Sequence, residues 1–256
     1  MDRTQLVAEL QERILKMTQP VGVGVIPLTT PVVSFGDFTT ARIATLGINP
    51  SSKEFLAGKK LRSNQKKRLV DFETLRKKTE SNLTPEEATE VWTGCKEYFS
   101  GKNAYWSWFK HFDEILTRID SGYRSGLSAH LDLSPWATSP IWNKMTLSQQ
   151  SALVNHDQDF LTWQLKESPI RTIIFNGSSV RKALESTKGF HLQVERAFQY
   201  TAGGKDQVSK FYFGDGPTGE LILGWTLNIP SLRVNPAERK SVMKLIGDLV
   251  VEKTNN

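Results

Sequence analysis

The sequence predicts an α/β fold in which a mostly parallel sheet is covered by helices on both faces. Three observations carry this. Short apolar, β-type runs alternate along the chain with helical stretches. Several of these runs end in polar, turn-forming residues, as strands do when they open into loops. The composition, with 38% hydrophobic residues, 10% aromatic and seven Trp in 256 residues, supplies a substantial core and is not that of a disordered chain.

Each element follows from local pattern. Leu6, Val7, Leu10, Ile14 and Met17 recur at three- and four-residue spacings and predict an amphipathic helix over 4–17 that packs on the core. A Pro- and Thr-rich loop (27–40) then leads to the apolar run Ala41–Ile48, a buried strand opening at Asn49-Pro50-Ser51-Ser52. The chain reads as one domain, 1–256, with 1–40 an N-terminal helix and loop elaboration. Thr84-Pro85-Glu86-Glu87 is a helix start: a capping hydroxyl, a first-turn proline and acidic residues that suit the helix dipole. Tyr105, Trp108, Phe109 and Phe112 follow at helical spacing; a base-stacking platform has this pattern, but the stripe favours core. Strands or strand ends are expected at His130–Pro135, Ile170–Phe175 and Leu221–Leu227, with a hairpin across Leu192–Phe213. Helices are expected over Leu147–Leu165, Ser178–Leu184 and Pro236–Val251. In such a sheet the ligand site lies at the carboxyl ends of the strands. The exits Asn49–Ser52, Asp132–Pro135, Asn176–Ser179 and Asn228–Ser231 therefore describe one pocket rim.

Counting excludes several classes. The single cysteine, Cys95, forms no internal disulfide, Cys-rich zinc site or four-cysteine iron–sulfur cluster, and reads as a passive thiol. The charged N-terminal stretch is not a signal peptide and no apolar run reaches membrane-spanning length, so the expectation is a cytoplasmic monomer without metal or cofactor. The net charge is +6, but it is not evenly spread. Residues 59–78 hold nine basic and two acidic side chains, or +7, which leaves −1 for the rest of the chain. Such a segment is a solvated face or a polyanion site, since each Lys or Arg set on a phosphate releases condensed counterions.

The strand exits carry a resemblance. Leu46-Gly47-Ile48-Asn49-Pro50-Ser51 resembles the first motif of the uracil-DNA glycosylase superfamily, in its mismatch-specific and single-strand-selective branches. His130-Leu131-Asp132-Leu133-Ser134-Pro135 is similar to the second motif, and Pro230-Ser231-Leu232-Arg233 to the final loop. The three occur in family order across residues 40–250. The resemblance implies a three-layer αβα fold with a central, mostly parallel four-stranded sheet, and hydrolysis of an N-glycosidic bond in DNA. It assigns Asn49 to the attacking water, the position of Asp132 to the Watson–Crick edge of a flipped pyrimidine, and Leu232 to the apolar wedge. Arg233 and the basic residues Lys59, Lys60, Arg62, Lys66, Lys67 and Arg68 would hold the DNA backbone. Phe55 or Phe72 would stack on the base, with Gly47, Ile48, Pro50, Ser51, Asn176, Asn228 and Ser231 lining its pocket. Two departures stand out: Ser51 replaces a frequent Gly, and Ile229 replaces a His or Asn, leaving Asn228 or a nearby His to stabilise the leaving group.

The chemistry of these residue types sharpens the expectation. Asn49 is a neutral amide that can position a water but cannot take its proton; its alternative is an Asx turn before Pro50. Leu232 serves equally as a cap over the core. An ionised Asp132 offers only acceptors, so it opposes uracil O4 and complements the exocyclic amine of cytosine. Alternatively Asp132 orients His130, two residues away on the same strand face. An enzyme excising ordinary cytosine would destroy its own genome, so the expected substrate is a modified cytosine, hydroxymethylated or glucosylated, in viral DNA. A uracil or mismatch repair glycosylase and a catalytically inert DNA-binding protein are the alternatives.

Overall fold

A computed structural model describes residues 1–80 and 82–255. The chain begins with α1 (Arg3–Lys16), held by a capping box in which Asp2 accepts from the Gln5 N–H; Leu6, Leu10 and Ile14 face inward against α2 (Pro85–Lys96). β1 (Ile43–Gly47) follows, then a two-strand ribbon of β2 (Leu56–Ala57) and β3 (Lys60–Leu61), before α2 and α3 (Trp106–Leu116). The predicted helix start at Thr84 is present, with Thr84 and Glu87 as the reciprocal pair of a capping box.

β4 (Ser128–Asp132) precedes α4 (Leu147–His156) and α5 (Gln158–Glu167). The single helix expected over Leu147–Leu165 is thus two, because Asp157 leaves helical geometry (φ −118°, ψ 20°) between them. β5 (Thr172–Asn176), α6 (Ser178–Glu185), the long hairpin of β6 (His191–Ala202) and β7 (Lys205–Asp215), β8 (Leu221–Trp225) and α7 (Pro236–Thr254) complete the chain.

The sheet has six strands, not the four expected, in the order β4-β1-β5-β8-β7-β6. β4, β1, β5 and β8 run parallel, and the hairpin β6–β7 extends this block antiparallel along β8. The extra strands are the predicted hairpin: its second arm hydrogen-bonds to β8 instead of standing apart. Within the parallel block consecutive residues are buried, so both faces are covered by other layers. The free side of β4 is capped by the 27–40 loop, where Phe35 exchanges backbone hydrogen bonds with His130 at 2.8 and 2.9 Å. Phe35 and Phe38 are buried, so this stretch belongs to the core.

From β1 the chain crosses to β4 on one side, and from β5 it crosses to β8 on the other. The strand order therefore reverses between β1 and β5, which opens a crevice at their carboxyl ends. Among the described residues no helix is long and apolar enough to cross a membrane.

Candidate active site

That crevice is a cavity of ≈ 720 Å³, lined by residues from all four predicted strand exits, including Gly47 to Ser52, His130, Asp132, Asn176 to Ser179, Asn228, Pro230 and Ser231. The four exits converge because parallel strands present their carboxyl ends at one edge of the sheet.

Asn49 is locked by its amide nitrogen, which donates to the Trp136 carbonyl and to Thr138 Oγ1, each at 3.0 Å. A carbonyl only accepts, so the NH₂ must face Trp136. Oδ1 is left with no protein donor among the described residues and is available to a ligand.

His130 and Asp132 both face the cavity from β4, with His130 Nε2 3.5 Å from Asp132 Oδ1. Both side chains are almost fully buried. Aromatic rings enclose the imidazole, with centroids at 5.5 Å for Phe35 and 5.3 Å for both Trp108 and Phe109. On its inner side, His130 Nδ1 lies 2.8 Å from Thr45 Oγ1, which lies 2.6 Å from Tyr123 Oη. Gly47, directly opposite Asp132 in the β1–β4 register, makes room for this pair. A Cβ there would collide with Asp132 Oδ1 and sit 3.0 Å from His130 Nε2.

Asn176 builds the opposite wall. Its Oδ1 accepts from Trp225 Nε1 at 2.8 Å and from the Ile229 N–H at 3.1 Å, and its Nδ2 faces Asn228 Oδ1 at 3.4 Å. Ile229, 1% exposed, is a core residue. The rim position falls to Asn228, whose Nδ2 has no protein acceptor among the described residues. Arg239, from α7, ties down the same loop by donating to the Ile229 and Leu232 carbonyls at 3.1 and 2.6 Å.

Several residues expected at the cavity lie elsewhere. Phe55 and Phe72, 2% and 5% exposed, are core side chains and do not line the cavity. The aromatic walls are instead Phe35, Tyr105, Trp108, Phe109 and Trp142. The stripe expected to be core thus splits: Phe109 and Phe112 are buried, whereas Tyr105 and Trp108 are only half-buried. Leu232 is half-buried against the core and is not a cavity residue. The exposed apolar side chain on the rim is Ile141, 55% accessible.

The basic segment also divides. Lys67 pairs with Asp71 at 2.5 Å, and Arg62 and Arg68 donate to the Lys53 carbonyl at 2.9 and 3.1 Å. These three are occupied inside the protein, whereas Lys59, Lys60, Lys66 and Arg233 are exposed. Arg68 also lies over the Tyr105 ring, 4.6 Å from its centroid, and 3.6 Å from Glu54.

Glu54, which motif reasoning missed, is buried at the cavity wall and accepts from Tyr98 Oη at 2.7 Å. Burial pushes its carboxyl above the usual carboxylate range, against the opposing pull of Tyr98 and Arg68. Its only signal in the sequence is an acidic residue in the first turn after the Asn49 loop. Cys95, in the last turn of α2, is buried, and burial pushes its thiol up to about 11.

The arrangement can therefore hold a planar ring between aromatic walls, offer donors and acceptors to its edge, and orient one water on Asn49. Comparison of the chain with known protein families and with curated proteins finds no match.

Proposed function

We propose that the protein is a monofunctional DNA glycosylase that hydrolyses the N-glycosidic bond of a flipped-out modified cytosine and leaves an abasic site. The observation that carries this reading is Asn49, a residue of the cavity that Asp132 and His130 also line, whose amide is clamped by its nitrogen and whose Oδ1 is left without a protein donor among the described residues.

In the reaction the C1′–N1 bond breaks and its electron pair leaves with the base. Positive charge develops on the sugar, and the water held by Asn49 forms the new C1′–O bond. The departing base takes up a proton and the water's remaining hydroxyl stays on the abasic sugar. Asn228 Nδ2 donates to the base as negative charge grows on it. Asp132 accepts from the exocyclic amine, and Tyr105 and Trp108 stack on the ring.

A cavity of ≈ 720 Å³ has room for a flipped pyrimidine with its deoxyribose and for a substituent on the base. The hydroxyls of Ser178 and Ser179 and the amide of Asn143 line it and suit a hydroxymethyl or sugar substituent. Flipping leaves a gap in the duplex, which the exposed Ile141 fills, and Lys59, Lys60 and Lys66 supply backbone contacts.

Incubation with duplexes containing cytosine, hydroxymethylcytosine, glucosylated hydroxymethylcytosine or uracil, followed by alkaline cleavage, tests the reading. Strand breaks at modified cytosine are expected, reduced about 10²–10³-fold in Asn49→Ala, the scale of losing one oriented polar group at a reacting centre. Cleavage confined to uracil would replace this substrate by the repair reading. DNA binding with a steep salt dependence and no cleavage would leave an inert DNA-binding protein.

A further inference from the structure

We infer that Thr45 and Tyr123 are positioning residues that fix which nitrogen of His130 carries its proton, and so set the hydrogen-bonding polarity of the cavity floor. The geometry is a buried chain: Tyr123 Oη, Thr45 Oγ1 at 2.6 Å, and His130 Nδ1 at a further 2.8 Å. Among the described residues neither hydroxyl has another side-chain partner. Each brings one proton, so a chain in which Thr45 donates along it can run in only two directions; were Thr45 to accept from both neighbours, its own proton would be left unpaired.

Run inward, Tyr123 donates to Thr45, Thr45 donates to Nδ1, and His130 carries its proton on Nε2. Every hydroxyl proton is then used, and Nε2–H points towards the Asp132 carboxylate. Run outward, Nδ1–H donates to Thr45 and Thr45 donates to Tyr123. The phenol proton is stranded in the core, and the bare Nε2 lone pair faces a carboxylate oxygen 3.5 Å away. Both consequences are unfavourable, so the inward direction wins. Burial pushes the Tyr123 phenol up, so it keeps the proton it must donate.

A contact of 3.5 Å is longer than an ordinary N–H···O bond, which leaves Nε2–H available to a ligand. The floor thus presents a donor beside an acceptor. A neutral pyrimidine carries that pattern on its Watson–Crick edge, with cytosine offering N3 to His130 and N4–H to Asp132. The outward direction would present two adjacent acceptors and match no neutral pyrimidine. This consequence for the base rests on the glycosylase reading; the tautomer does not.

Nitrogen-15 NMR of the imidazole groups in the intact protein measures the tautomer, with the His130 signals among the four histidines assigned by their loss in His130→Gln. The expected wild-type pattern is a protonated Nε2 and a bare Nδ1. In Asp132→Ala the hydroxyl chain acts alone, and the pattern should persist. In Thr45→Val/Asp132→Ala both nitrogens should move to positions intermediate between bare and protonated. A protonated Nδ1 in the wild type, loss of the Nε2–H pattern in Asp132→Ala, or an unchanged pattern in the double variant would each overturn the inference. Should the double variant fail to fold, the first two spectra still decide it. Because the spectra are of the free protein, their outcome is separate from that of the cleavage assay.

Discussion

The parallel block of the sheet and its antiparallel wing use polar residues in opposite ways. On β6 and β7 most polar side chains face solvent, and most of β6 is exposed. In the central and carboxyl-terminal parts of β1, β4 and β5, Thr45, His130 and Asn176 are buried, where each must be hydrogen-bonded or cost stability. Each does find partners, and the bonds lead from strand to strand towards the cavity. These three buried polar residues tie the parallel strands to the site, whereas the exposed polar side chains of the wing only solvate an edge.

Breaking the buried side should have the larger effect. Asn176→Ala strands the Trp225 indole N–H and the Ile229 N–H together, and a loss of about 2–6 kcal/mol in urea unfolding is expected at 1–3 kcal/mol per buried group. Gly47→Ala displaces Asp132 and crowds His130; about 1–3 kcal/mol of stability should be lost. Abasic-site formation should also fall about 10²-fold, as for a catalytic group displaced by an ångström.

Glu54 adds a pH signature. Its carboxyl is raised by burial in the folded state, so the folded protein binds the proton more tightly than the unfolded chain. That stability is present below the ordinary carboxylate value and is lost as pH rises from there through the raised value. Glu54→Gln, which can still accept from Tyr98, should flatten stability against pH across this window in chemical denaturation. On the wing, Val208→Thr alters a side chain 64% exposed and should change stability by no more than about 0.5 kcal/mol, with cleavage intact. A large loss from Val208→Thr, or none from Asn176→Ala, would erase the contrast.

Local signals carried much of the fold. The caps at Thr84, the helical spacing of α1 and the apolar runs of β1, β5 and β8 are interactions among residues close in sequence, so pattern reports them well. The polar ends of the strands were equally legible, because a chain leaving a parallel sheet needs turn-forming residues. The pairing of β7 with β8 was not, since hairpin and sheet extension share one alternating pattern. Nor was the split in the basic segment, because Lys67 is neutralised by Asp71 only in the folded geometry.

The amino-acid sequence by itself therefore determined the α/β alternation, the four polar strand exits and Asn49 among them, each a matter of residue type and spacing. Only the tertiary structure decided that Tyr105 and Trp108, not Phe55 or Phe72, wall the cavity. It also decided that Asn228 replaces Ile229 at the rim, and that Thr45 and Tyr123 stand behind His130. Those outcomes depend on which face of an element meets a partner as much as 85 residues away, as for Thr45 and His130, and periodicity carries no information about that partner.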